Sequence, residues 1–93
     1  MVRPKIPREL RFDPSVYYFK PRGIPLRELE EIEIFPDELE ALKLHDVDGL
    51  DQVTSSEKMK VSQPTFARIL DKTYKKIADA LINGKAIRIA SDK

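Results

Sequence analysis

The chain contains no cysteine. Disulfides, thiolate nucleophiles and thiolate metal sites are therefore excluded, and the composition fits a cytoplasmic protein, the expected location. Histidine occurs once, as His45 beside Asp46 and Asp48. One imidazole without thiolates is a poor metal site, so His45 reads as a surface or helix-capping residue. No apolar run approaches the roughly 18 residues of a membrane span. No apolar stretch follows Met1-Val2-Arg3-Pro4-Lys5 either, so neither a membrane segment nor a signal peptide is expected. A glycine-rich phosphate loop is missing. Glu28, Glu30, Glu31 and Glu33 have no partnered nucleophile, so they read as a solvated acidic face rather than a catalytic set. No enzymatic activity, cofactor or metal is expected.

What remains is a chain of 93 residues, 41% hydrophobic and 35% charged. That is one small domain with enough apolar material for a core. A domain of this size buries only about 60–65% of its chain surface, so an oligomer would help its stability. The net charge of +1 looks unpromising for nucleic acid, but it is an average. Residues 1–22 hold six basic and two acidic residues, a net of +4. Residues 23–51 hold two basic and ten acidic, a net of −8, and residues 52–93 hold nine basic and four acidic, a net of +5. Screening over about 8 Å makes a partner feel the patch, not the total.

Five of the seven prolines lie in residues 1–25, which excludes a long helix there. This segment reads as an extended basic N-terminal arm, with β-prone Val16, Tyr17, Tyr18 and Phe19 anchoring it by core packing; the alternative for part of the aromatic set is stacking on single-stranded bases. Residues 26–93 form the domain proper. Ile32 and Ile34 alternate with Glu31 and Glu33, predicting a short strand over 31–35. Pro36, Asp37 and Glu38 suit a helix start, and Gly49 a stop. A second helix runs over about 52–59 behind an Asp51 N-cap; its Thr54, Ser55 and Ser56 are poor helix formers that only tertiary packing would hold. The third helix starts at Ser62 with Pro64 in its first turn. Phe66, Leu70, Thr73, Ile77 and Leu81 follow its period, and Asn83-Gly84 ends it. Residues 86–89 form a short strand that pairs with 31–35, within one chain or between two.

Two helices joined by Lys60-Val61-Ser62 suggest a helix-turn-helix. Met59, Val61, Phe66 and Ile69 would hold the helices at a steep angle, with the small Ser56 at the close approach. The helix from Ser62 would then enter the major groove. Gln63, Thr65 and Arg68 are candidates for base-edge contacts. Ser62, Lys58, Lys60, Lys72 and Lys75 suit phosphates. Arg68, Lys72, Lys75 and Lys76 fall near one face. The arm, with Arg3, Lys5, Arg8 and Arg11, would enter a minor groove or serve as a solubilising tail. Lys60 occupies a turn position that commonly takes glycine, at a cost of roughly 1–2 kcal/mol.

Four blocks resemble the domain of unknown function 134 family of uncharacterised, predicted DNA-binding proteins. They are Tyr18-Phe19-Lys20-Pro21-Arg22-Gly23-Ile24-Pro25-Leu26-Arg27-Glu28-Leu29-Glu30-Glu31, Asp37-Glu38-Leu39-Glu40-Ala41-Leu42-Lys43-Leu44, Val61-Ser62-Gln63-Pro64-Thr65-Phe66-Ala67-Arg68-Ile69-Leu70 and Ala78-Asp79-Ala80-Leu81-Ile82-Asn83-Gly84-Lys85-Ala86-Ile87. The resemblance implies a helix-turn-helix similar to region four of bacterial sigma factors and a role in transcription regulation. The chain lacks the Cys near the N-terminus and the Gly in the turn that members often have. The expected fold is thus mainly α: a three-helix, sigma-factor region-four-like helix-turn-helix domain with an extended basic N-terminal arm and short flanking strands. The expected partner is double-stranded DNA, bound by a possible homodimer, with transcription-machinery proteins as possible further partners. The alternative is a protein–protein interaction module that uses the acidic 28–51 segment without binding DNA.

Overall fold

The computed structural model describes residues 16–90. Among these, the architecture is mainly helical with a small sheet: β1 (Val16–Phe19), β2 (Glu31–Ile34), α1 (Pro36–Leu42), α2 (Gln52–Met59), α3 (Gln63–Asn83) and β3 (Ala86–Ala90). The strand order is β1-β3-β2, with β3 antiparallel to β1 and parallel to β2. The expected pairing of the two short strands therefore occurs within one chain. It is parallel because the three helices form the long crossover that parallel neighbours require. Register sets Ile32 beside Ile87 and Ile34 beside Ile89 on one face, and Glu33 beside Arg88 on the other, where the two ion-pair at 2.8 Å.

Residues 16–19 of the predicted arm form β1 and join the sheet. Their rings do not enter the core as expected: Tyr17, Tyr18 and Phe19 all stay exposed. α1 starts at Pro36 as the sequence predicts, but ends at Leu42 and passes into a π-type turn over Lys43–Val47, closed by the Asp48 N–H on the Lys43 carbonyl at 2.8 Å. Gly49, at φ +78°, then turns the chain toward α2.

The helical core is Ala41, Phe66 and Leu70, with Met59, Val61 and Ile69 packed around it. α3 buries Phe66, Leu70, Thr73 and Ala80. Leu81, expected on that stripe, points outward instead. At about 100° per residue the buried line reaches Ala80, and Leu81 falls beyond its edge. Ser55 and Ser56, poor helix formers, are both buried on the inner side of α2. The Ser56 hydroxyl donates to the Val53 carbonyl, whereas the Ser55 hydroxyl has no partner among the described residues.

One polar node ties sheet, α1 and α3 together. Glu38 lies in the first turn of α1 and is buried. Its carboxylate accepts from the Phe35 N–H at 2.9 Å, which caps α1, and from the Lys76 ammonium at 2.7 Å. Lys76 also donates to the Glu33 carbonyl at 2.8 Å and stands 4.2 Å from the centre of the Phe35 ring.

Removing one partner of a buried pair leaves the other uncompensated, so Glu38→Ala should lower the unfolding free energy by about 3–5 kcal/mol. Glu38→Leu with Lys76→Met should recover more than half of that loss in urea titrations. A double variant no better than Glu38→Ala would show that the node does not act as a pair. Ser55→Ala removes an unpartnered buried hydroxyl and should raise stability by about 1 kcal/mol in the same assay.

Candidate nucleic-acid interface

The α2–α3 connection is fixed by backbone hydrogen bonds. Asp51 caps α2, its carboxylate accepting from the Thr54 N–H at 2.7 Å. That hydrogen bond, joined by one from the Thr54 hydroxyl, holds the Asp51 carboxyl below the usual aspartate range. α2 ends at Lys60, which adopts the left-handed conformation at φ 61°, ψ 43°. The Lys60 N–H donates to the Glu57 carbonyl and the Val61 N–H to the Ser56 carbonyl, both at 3.1 Å. This is a Schellman closure, with lysine in the seat that usually holds glycine.

α3 then starts. The Ser62 hydroxyl accepts from the Thr65 N–H at 3.2 Å, as expected of an N-cap. It also donates to the Thr65 hydroxyl at 3.0 Å, and the Arg68 guanidinium donates to the same oxygen at 3.2 Å. Three of the residues singled out in the sequence are thus joined in one surface network at the start of α3. Gln63 and Arg68 are exposed and Thr65 is half-buried. Lys58 and Lys60 are exposed at the end of α2 beside this network, and Lys72 is exposed one turn beyond Arg68. Lys75 is exposed and pairs with Asp71 at 3.2 Å.

Lys76 does not share this surface. It lies about 80° round the helix from Arg68 and is held inward by Glu38. Arg3, Lys5, Arg8 and Arg11 lie outside the described residues. Lys20, the last lysine of the first basic segment, sits at the other end of α3. It lines a groove with Leu81 and Gly84 and donates to the Ile24 carbonyl at 2.8 Å. Leu81 is 19 residues from Ser62, or about 28 Å along the helix.

The acidic segment also meets the far half of α3 and β3. Besides the Glu38–Lys76 and Glu33–Arg88 pairs, Glu30 pairs with Lys85 at 3.3 Å. Lys85 also binds Asp79 at 2.9 Å, and these contacts raise the Lys85 pKa and lower that of Asp79. Lys76 is about 21 Å along α3 from Ser62, so Glu33 and Glu38 lie well away from the helix start.

His45 packs its ring edge on Phe66, with centres 6.3 Å apart, and its Nδ1 lies 2.8 Å from the Leu50 carbonyl oxygen. It therefore fixes the bend after α1. No group of three or more potential metal ligands exists among the described residues. Sequence reasoning missed the contact between the Tyr74 hydroxyl and the Asp46 carboxylate, at 2.7 and 3.0 Å. Partial desolvation of the otherwise exposed ring, with this hydrogen bond, pushes the Tyr74 phenol up to about 12. The π-type turn that brings Asp46 to Tyr74 has no local sequence signal.

A family model described as "Protein of unknown function DUF134" matches residues 1–92. A UPF0251 protein of Moorella thermoacetica is 54% identical over 89 residues, covering 96% of this chain and 60% of that protein. A UPF0251 protein of Caldanaerobacter subterraneus subsp. tengcongensis is also 54% identical over 89 residues, with 96% and 75% covered. One from Rhodospirillum rubrum is 44% identical, with 96% and 62% covered. The chain thus spans about three-fifths to three-quarters of the length of these relatives. No solved structure matches the chain.

The turn yields its own prediction. Left-handed backbone costs a non-glycine residue roughly 1–2 kcal/mol, part of which is returned as the greater chain entropy lost by glycine. Lys60→Gly should therefore raise thermal stability by up to about 1 kcal/mol, whereas Lys60→Val should lower it. Equal melting temperatures for the two variants would contradict the strain at this position.

Proposed function

This chain belongs to the DUF134 family of proteins of unknown function, and on that premise we propose that it is a DNA-binding protein, a non-catalytic transcriptional regulator of the cytoplasm. In this reading α2 and α3 are a helix-turn-helix of the sigma-factor region-four kind, and α3 reads duplex DNA from its N-terminal end. The observation that carries the proposal is the joined Ser62–Thr65–Arg68 surface at the start of α3, flanked by exposed Lys58, Lys60 and Lys72. A helix of this diameter fits the major groove, where Arg pairs with guanine and Gln with adenine. Thr65 holds the Arg68 guanidinium near the helix start, so less side-chain entropy is lost when it meets a base. Lys58, Lys60 and Lys72 suit phosphates, which set position without reading sequence.

The alternative, a protein-interaction module using the acidic 28–51 segment, is the weaker reading. Glu30, Glu33 and Glu38 of that segment are already paired inside the chain.

Binding to random duplex DNA across a salt series tests the proposal. Affinity should fall with salt, each phosphate contact adding about −0.9 to the log–log slope. Lys72→Ala should weaken all sequences alike and flatten the slope by about 1, while Arg68→Ala should relax preference at one base position. No binding at low salt would reject DNA as the partner.

A further inference from the structure

α3 covers only part of the sheet. Register puts Tyr17 and Phe19 of β1 on the same face as Ile89 and Ile87. Phe19 and Ile87 line a groove with Ala80 and Leu81 of α3, about 250 Å³ in volume. Beyond the edge of α3 that face is bare among the described residues: Phe19 is 60% exposed, with Tyr17 packed edge-on against it at 5.9 Å. On α3, Tyr74, Ala78 and Leu81 recur at i, i+4 and i+7 on the outward side. Leu81 is 72% exposed and its neighbour Ile82 81%. Together these side chains expose on the order of 500 Å² of apolar surface, comparable to the largest patch on a typical monomer. Two such patches with their polar rims approach the roughly 1,200–2,000 Å² of a stable interface.

We propose that this face binds a second copy of the chain, with α3 packed antiparallel to α3 about a two-fold axis near Ala78. Alanine there permits close approach of the two helices, and Leu81 and Tyr74 flank the crossing. Charge selects the antiparallel order. Lys75, which pairs with Asp71 of its own chain, then lies against the last turn of the other α3, the negative end of its dipole. Parallel order would oppose Lys75 to Lys75. Thr65 is 13 residues, or about 20 Å, from Ala78. The two Thr65 positions therefore stand about 40 Å apart, somewhat more than the 34–36 Å between successive major-groove half-sites. This spacing argument rests on the DNA-binding reading; the apolar and charge arguments do not.

Sedimentation equilibrium of the full chain over roughly 1–500 µM tests the interface. The expected result is a dimer whose dissociation constant rises at least about tenfold in Leu81→Glu, with helical circular dichroism unchanged. Ala78→Arg, at an exposed helix position, should do the same. Because the chain has no cysteine, Ala67→Cys provides a unique spin-label site. Its partner label should lie about 35 Å away, from 11 residues of helix on each side of Ala78. A monomer across the whole range would overturn the proposal. So would a dimer indifferent to both substitutions, or a label separation below about 20 Å, the mark of parallel packing. A dimer that forms as described but binds no duplex at low salt would support this interface while rejecting the DNA reading. A monomer that binds duplex would do the reverse.

Discussion

The Lys76 ammonium is the constraint on which the arrangement of the other elements depends. It projects from the second half of α3 and is shared between the Glu38 carboxylate, the Glu33 carbonyl at the end of β2 and the face of Phe35. A hydrophobic pair in the same place would pack with similar energy. It would not distinguish one rotation of α3 from another. The ammonium does, because its partners lie in two directions: the start of α1 and the end of the sheet. Glu38 also caps α1 through the Phe35 N–H. One buried carboxylate thus sets both where α1 begins and how α3 lies across it.

Anchoring α3 at this end has a consequence for the other. The residues around Ser62 are positioned by Phe66 and Leu70 beneath them and by the Schellman closure before them. Their own side chains stay at the surface, linked only by hydroxyl and guanidinium hydrogen bonds that solvent or a ligand can replace. Lys60 completes the pattern. Glycine would occupy its backbone conformation without strain, yet the position carries a long cation beside the start of α3. Strain retained at a surface turn is most readily understood where the side chain has a use, and in the DNA-binding reading that use is a phosphate contact.

Much of this was legible in the sequence, because it rests on local rules. The caps at Asp51 and Ser62, the proline starts of α1 and α3, the left-handed Lys60 and the two short strands all follow from residue type and spacing. Three features were not legible. The direction of the β2–β3 pairing depends on the whole crossover between them. The inward turn of Lys76 depends on Glu38, 38 residues away, although its spacing puts it near Lys72 on the helix. The exposure of Leu81, at the edge of the helical stripe, depends on how far the neighbouring elements extend around α3. Each is a property of non-local contacts, which a pattern along one helix does not encode. The candidate interface was legible for a related reason: it is built from residues close together in sequence, at the end of one helix and the start of the next.

Charge shows how the two levels combine. Along the sequence the net of +1 divides into basic, acidic and basic segments. In space the division is different. Lys76, Lys85 and Arg88 of the third segment meet Glu38, Glu30 and Glu33 of the second, so three of its ten acids are matched near the sheet and the far end of α3. Lys58, Lys60, Arg68 and Lys72 remain at the surface around the other end. The separation of about 21 Å between Lys76 and Ser62 exceeds two screening lengths at physiological salt. The acids matched near the sheet are therefore screened from the start of α3, where the nearer acids are the exposed Glu57 and Asp71.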